Sequence, residues 1–239
     1  MKNICIDFGN TTVKAAVFEG KTLLEHYPKL TQVELLSFVN THTDHKLAIA
    51  SVSNEVTHIV NLIEHKERLT ILNHLTPVPV KNLYQTPKTL GMDRLAAVVG
   101  ANFLYPNTDC LVIDAGTCIT YDLVDRLGQY HGGSISLGIA MRYKAIHHYT
   151  AKLPLLEMGD FEGLIGTNTE DAIVSGINQG VVGEMTWIIN QYKAQYPQIR
   201  TVMCGGSTAF FETKIKEHIF AVPELVLIGL NTILNYNAA

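Results

Sequence analysis

Three carboxylates in this chain stand where a side chain could do chemistry. Asp7 opens Asp7-Phe8-Gly9-Asn10-Thr11-Thr12-Val13-Lys14, Asp114 opens Asp114-Ala115-Gly116-Thr117, and Asp93 sits within Gly91-Met92-Asp93-Arg94. The first two share a pattern: an apolar run, Asp-x-Gly, threonine or Asn-Thr, then a second apolar run. A carboxylate at the end of a strand can meet a cation directly or through water, while Thr11, Thr12 and Thr117 offer hydroxyl donors to phosphate oxygens. A turn glycine tolerates positive φ, so backbone N–H groups can converge on an anion. The outline is that of a clamp for a nucleotide phosphate, with Lys14 as its cation. Taken singly, Gly9-Asn10 is equally a plain hairpin turn in which Asp7 steadies its own backbone; the second copy at Asp114 favours the clamp.

Asp93 suggests different chemistry. It precedes the apolar stretch Leu95–Ala101, where a carboxylate at a helix N-terminus is favoured by the macrodipole and could serve only as a cap. The functional alternative is that Gly91 sets Asp93 at a cleft as a proton acceptor, with Arg94 reaching an anionic substrate group. Arg94 could also be an exposed partner for a neighbouring acid, which contributes little.

The elements that must position these residues read as an α/β chain in two similar halves. Each Asp-x-Gly hairpin is followed by a further glycine, Gly20 and Gly128, where a second turn would begin a third strand. A duplicated fold follows, with residues 1–107 as one half, 108–239 as the other, and Asp7 and Asp114 facing one cleft. In the first half, strands are expected near Thr22–His26, Leu47–Ser51 and Leu69–Leu72, with helices over Val33–Val39 and Glu55–Lys66. The proline-rich Thr76-Pro77-Val78-Pro79-Val80 should be extended and irregular. In the second half a strand is expected over Tyr130–Gly138 and a helix over Ile139–Tyr149. A long helix should run from an N-cap at Thr169 to about Tyr192. Gly176, Gly180 and Gly183 fall on that helix at near-helical spacing, a propensity cost that implies close packing against another helix or a partner chain. A strand at Thr201–Cys204 leads into Gly205-Gly206-Ser207, a joint that could seat a nucleotide base or ribose, or be mere packing.

Composition excludes several classes. With 239 residues, 47% hydrophobic and 17% charged, the chain can bury one large core or two modest ones. A net charge of -4 gives no basic field for nucleic acid or an anionic membrane, so neither is an expected partner. The start Met1-Lys2-Asn3 reaches Asp7 too soon for a signal peptide, and no apolar span is long enough for a membrane, so a cytoplasmic location is expected. The cysteines form no C-x-x-C pair and read as reduced buried thiols, and the scattered histidines lack zinc-site spacing.

The set Asp7-x-Gly9-Asn10-Thr11, Gly91-x-Asp93-Arg94, Asp114-x-Gly116-Thr117, Gly132-Gly133-x-Ile135 and Asn168-Thr169 with Ser175-Gly176 resembles the type III pantothenate kinases. The resemblance runs nearly end to end and includes Thr150-Ala151-Lys152-Leu153-Pro154. It implies duplicated ribonuclease-H-like halves of the acetate and sugar kinase, Hsp70 and actin superfold, with ATP held between them. It further implies ATP-dependent phosphorylation of pantothenate, the first step of coenzyme A synthesis, by a homodimer that needs a monovalent cation, potassium or ammonium. By motif, Asp93 would be the base. Asp7, Phe8, Gly9, Asn10, Thr11, Thr12, Val13 and Lys14, with Thr117, would bind ATP and its magnesium. Asp114 would hold the monovalent cation, and Tyr84, Gly91, Met92, Asp93, Arg94 and Thr169 would form the pantothenate pocket. Two positions depart from the family pattern: Leu137 stands before Gly138 where proline is usual, and Ser53 replaces a common proline. Another kinase of the superfold, or a non-catalytic nucleotide-binding relative, are the competing readings.

Overall fold

The structure, a computed structural model, describes residues 2–9, 11–51 and 56–238. Apolar runs broken by turn residues open the chain as an antiparallel meander. β1 (Lys2–Phe8) pairs with β2 (Val13–Glu19), with Asp7 opposite Lys14 and Phe8 opposite Val13. Gly20 turns the chain at φ +58° into β3 (Thr22–Leu30), which continues past the expected His26 and through Pro28. Proline is tolerated because β3 is an edge strand. α1 (Gln32–Thr41) begins at a capping box of Thr31 and Glu34. β4 (Lys46–Ser51) runs parallel to β1, and β5 (Leu69–Ile71) parallel to β4.

The expected helix Glu55–Lys66 is shorter. α2 spans Val56–Leu62, and a separate 3-10 turn occupies Lys66–Arg68 after His65, whose φ is +56°. Glu55, like Ser53 and Asn10, lies outside the described residues. The proline-rich stretch carries neither helix nor strand before the short β6 (Lys81–Asn82), and α3 follows as Met92–Leu104.

The second half repeats this path. β7 (Cys110–Ala115), β8 (Cys118–Val124) and β9 (Gln129–Leu137) form the second meander, with Gly128 at φ +70° between the last two. Then come α4 (Ile139–His148), α5 (Thr169–Gln195), β10 (Arg200–Cys204), α6 (Thr208–Lys214), β11 (Ile219–Ala221) and α7 (Leu225–Tyr236). One sheet has the order β3-β2-β1-β4-β5; the other, read from its opposite edge, runs β9-β8-β7-β10-β11, with β6 added beside β9. The two orders are the same fold drawn twice.

The chain packs as two compact units that exchange segments: residues up to 110 with 122–132 and 224 onward, and residues 111–121 with 133–223. In the first, Ile4, Ile6, Leu47 and Ile49 of the sheet pack with Leu35, Val39 and Ile59 of the helices. α3 and α7 meet at two glycines: a Cβ on Gly229 would fall on the Ala96 carbonyl, and one on Gly100 on the Leu225 carbonyl. The buried Asn3 amide ties β1 to α7 by donating to Asn231 Oδ1 at 2.8 Å and Asn235 Oδ1 at 2.9 Å. In the second unit, α5 buries Ile173, Ile177, Val181, Met185 and Ile189, one apolar stripe at helical spacing. Gly176, Gly180 and Gly183 lie off that stripe facing open space, so no described residue supplies the close packing expected of them. The N-cap of α5 is Asn168, whose side chain accepts the Asp171 N–H at 2.9 Å; Thr169, expected there, is the first helical residue. Among the described residues no helix is long and apolar enough to cross a membrane.

Candidate active site

The two hairpins place their carboxylates alike. Asp7 is the half-buried penultimate residue of β1, held between buried Ile6 and Phe8, and Val13 closes the hairpin opposite Phe8. Thr11 is exposed; Thr12 and Lys14 are half-buried. The turn closes by a Gly9 N–H bond to the Thr12 carbonyl at 3.2 Å. Gly9 therefore does not aim its N–H at an anion, and its φ lies outside the left-handed region, contrary to expectation. Its missing Cβ matters for closeness: that atom would stand 3.2 Å from the Thr12 oxygen.

Asp114 is half-buried on β7 and Thr117 is exposed on the turn beyond it. Gly116 N–H donates to the Cys118 carbonyl at 3.0 Å, so this amide too is used within its own turn. Two other segments press on this turn. Gly138 N–H donates to the Thr117 carbonyl at 3.1 Å, and a Cβ there would fall on the Gly116 and Thr117 carbonyls. Gly205, at φ +95°, lies so close that a Cβ would strike the Asp114 carboxylate, and Ser207 N–H donates to the Ala115 carbonyl at 2.9 Å. The strand-Gly-Gly-helix joint is thus built against the Asp114 turn.

The Gly91–Arg94 segment is a helix start with an unusual charge beneath it. Gly91 is the N-cap and makes no side-chain cap bond; the Asp93 side chain turns back so that Oδ1 accepts the Arg94 N–H at 2.7 Å. A Cβ on Gly91 would stand 2.5 Å from that oxygen. Met92 is buried and Asp93 half-buried. Burial pushes the Asp93 carboxyl above the usual range; the Arg94 N–H and the guanidinium charge pull it back, and Asp122 raises it further. Arg94 is not an exposed partner: it is 6% exposed and grips Asp122, itself 1% exposed, with Nε to Oδ2 at 3.0 Å and Nη2 to Oδ1 at 2.6 Å. Burial works against the guanidinium charge, but the bonds and charge of Asp122 outweigh it and raise the Arg94 pKa. Tyr130 donates to Asp122 Oδ1 at 2.7 Å. Tyr84 stacks on Tyr130 with ring centroids 6.1 Å apart and lies against the guanidinium at 5.6 Å. Gly132, at φ +95°, leaves room for that ring, since a Cβ there would be 3.0 Å from Tyr84 Cδ2.

The structure thus gathers Tyr84, Gly91, Met92, Asp93 and Arg94 in one compact unit, with Asp7–Lys14 also in it, and Asp114, Thr117 and the exposed Thr169 in the other. Asp122 and Tyr130 escaped the sequence reading. The one available signal was a charged residue, Asp122, inside the otherwise apolar end of β8.

A model of the type III pantothenate kinase family matches residues 3–191. The chain belongs to that family. A type III pantothenate kinase of Bacteroides fragilis is 44% identical over 238 residues, covering 98% of each chain. Among solved structures, a Campylobacter jejuni protein described as a Baf family transcriptional activator superposes with a TM-score of 0.63 at 21% identity, covering 98% of both chains. The ADPNP-bound activator of 2-hydroxyisocaproyl-CoA dehydratase from Clostridium difficile gives 0.57 at 12% identity, covering 100% of this chain and 96% of that one. At such identities these two show the fold alone, the duplicated ribonuclease-H-like architecture of the acetate and sugar kinase, Hsp70 and actin superfold. Against the type III pantothenate kinase pattern, Leu137 proves no obstacle to the turn before Gly138. Arg142 holds it by donating from Nε to the Leu137 carbonyl at 2.9 Å and from Nη2 to Ser136 Oγ at 3.2 Å, and is anchored by Glu184 Oε2 at 2.6 Å.

Proposed function

We propose that this chain transfers the γ-phosphoryl group of ATP to the primary hydroxyl of pantothenate, giving 4'-phosphopantothenate in the first step of coenzyme A synthesis. The observation that carries the reading is the family match over residues 3–191 with all three carboxylates, Asp7, Asp93 and Asp114, in place. Phosphoryl transfer asks for positioning and charge neutralisation more than covalent chemistry. Asp93 accepts the hydroxyl proton as the oxygen attacks phosphorus. Its raised proton affinity suits that task, because a base works best when its pKa approaches the working pH. Tyr84, Gly91, Met92, Arg94 and Thr169 form the pantothenate pocket, and the hairpin Asp7–Lys14 with Thr117 binds ATP.

Among the described residues no three His, Cys, Asp or Glu side chains group as a metal cage. That suits magnesium, which is commonly held by one or two carboxylates plus substrate phosphates. Asp7 would hold the ion that ATP carries, and the chemistry it supplies is neutralisation of phosphate charge. Asp114, a hard oxygen donor pressed by Gly205, would hold a monovalent cation, potassium or ammonium. The enzyme works as a homodimer in the cytoplasm. The test is ADP release with ATP plus pantothenate, ATP alone, and ATP plus sugars. Release only with pantothenate is expected. Release with a sugar would assign another kinase of the superfold, and none in any mixture a non-catalytic relative.

A further inference from the structure

We propose that Asp122 and Tyr130 are positioning residues of the transfer reaction: oriented by Tyr130, the Asp122 carboxylate grips the Arg94 guanidinium and so fixes the first turn of α3, from which Asp93 meets the substrate. The inference rests on the reading of Asp93 as the base. Asp122 itself, 1% exposed, is too buried to touch a substrate. The geometry is that of a clamp. Two parallel N–H···O bonds of 3.0 and 2.6 Å set the plane of the guanidinium as well as its place. The phenol of Tyr130, bonded at 2.7 Å, sets the carboxylate in turn. Tyr84 lies against the guanidinium at 5.6 Å, so the clamp aligns a pocket wall too.

A role in stability alone explains the pair poorly. Burying two charges is costly, and apolar side chains of similar volume often do as well or better. Here the buried charge sits one residue from Asp93 and its partner lies 28 residues away in sequence, on β8. The clamp therefore joins the start of α3 to a strand, where a helix N-terminus without a side-chain cap would otherwise be free to fray. Arg94 and Asp122 are the charged groups that act on Asp93. The neighbouring titratable groups are Tyr84 and Tyr130, with His131 beyond Tyr130 and Lys88 on the turn preceding Gly91. Of the elements packed on α3, α7 carries only Tyr236 and β4 only Lys46, its first residue.

The test compares Asp122→Asn, Tyr130→Phe and Asp93→Asn in the full-length protein, each first checked for folding by thermal melting. For Asp122→Asn, kcat should fall by about 10- to 100-fold, since a small misplacement of a reacting group costs that much. The ATP Michaelis constant should stay as it is. The acidic limb of the kcat profile should move down, because a negative charge near Asp93 is gone and Arg94 is no longer neutralised. For Tyr130→Phe the limb should move up, because Asp122 loses a donor and its charge acts more strongly on Asp93. Opposite shifts are what a merely structural role would not produce. If either folded variant superimposes on the wild-type pH profile, the clamp proposal is wrong; should Asp122→Asn not fold, Tyr130→Phe decides alone. Asp93→Asn separates the two readings. If it is inactive while the profiles of the others stay put, only the clamp fails; if it turns over normally, the assignment of the base fails and the clamp with it.

Discussion

At Asp93, burial and a neighbouring cation act in opposite directions, and burial prevails, leaving the carboxyl raised above its ordinary range. A folded-state pKa above the unfolded one means that the ionised carboxylate opposes folding. The penalty is absent below the ordinary carboxylate range and grows as pH rises through the raised folded value. Asparagine keeps an oxygen for the Arg94 N–H and sheds the charge. Asp93→Asn should therefore lose phosphoryl transfer on the order of a hundredfold or more, as for a positioned general base. Its melting temperature should match or exceed the wild type at pH 8, with the difference shrinking toward pH 4. Near wild-type turnover would reduce Asp93 to a helix-start residue. At Asp114 the expectation concerns a ligand: activity in sodium or Tris buffer at constant magnesium should be slow and be restored by potassium, and Asp114→Asn should abolish that dependence. Equal rates in both media would remove the monovalent site.

Among the elements, α3 is where a packing change should reach the site, because it bears Asp93 at its start and meets α7 through Gly100 and Gly229. Gly229→Val has no room beside the Ala96 carbonyl, and overpacking of this kind costs about 1–3 kcal/mol. A lower urea midpoint is expected, together with a fall in kcat as α3 shifts; an unchanged midpoint would mean the helices part without strain. Elements were legible wherever one local rule governs. Gly20 and Gly128 mark turns because both take positive φ, and the apolar runs preceding each of them mark the strands. What could not be read depends on partners distant in sequence or on a choice between equals. Nothing local joins Arg94 to Asp122. Asn168 and Thr169 are both good N-caps, and only the bond to Asp171 chooses between them. Gly9 suggested a left-handed turn, yet the Gly9 to Thr12 bond closes this one without it. The candidate carboxylates Asp7, Asp93 and Asp114 could be picked out because each stands close to a glycine at a strand or helix end. Asp122, on an apolar strand with no glycine near, carried only the weaker signal of a misplaced charge.

For the whole molecule, the face of α5 that carries Gly176, Gly180 and Gly183 is where the proposed homodimer can be tested. Each of these glycines meets open space, and Trp187, one helical turn beyond Gly183, is 64% exposed. Three glycines in a helix interior cost roughly 1 kcal/mol each against alanine. Among the described residues nothing lies within 4 Å of where their Cβ atoms would stand, and in the proposed homodimer a second copy covers this face, where small residues let two helices approach. The openness makes the test clean. A Cβ at position 180 meets nothing within 4 Å and leucine is the better helix former, so a loss caused by Gly180→Leu is expected to arise at the interface. Sedimentation should show wild-type dimers and a dissociating variant. The pantothenate Michaelis constant should rise in step with dissociation, because Thr169, exposed at the start of the same helix, belongs to the proposed pantothenate pocket. The monomeric variant should melt no lower than wild type diluted to the same state. A wild-type protein that sediments as a fully active monomer at low concentration would overturn the dimer, and the glycines of α5 would then need another explanation than a partner.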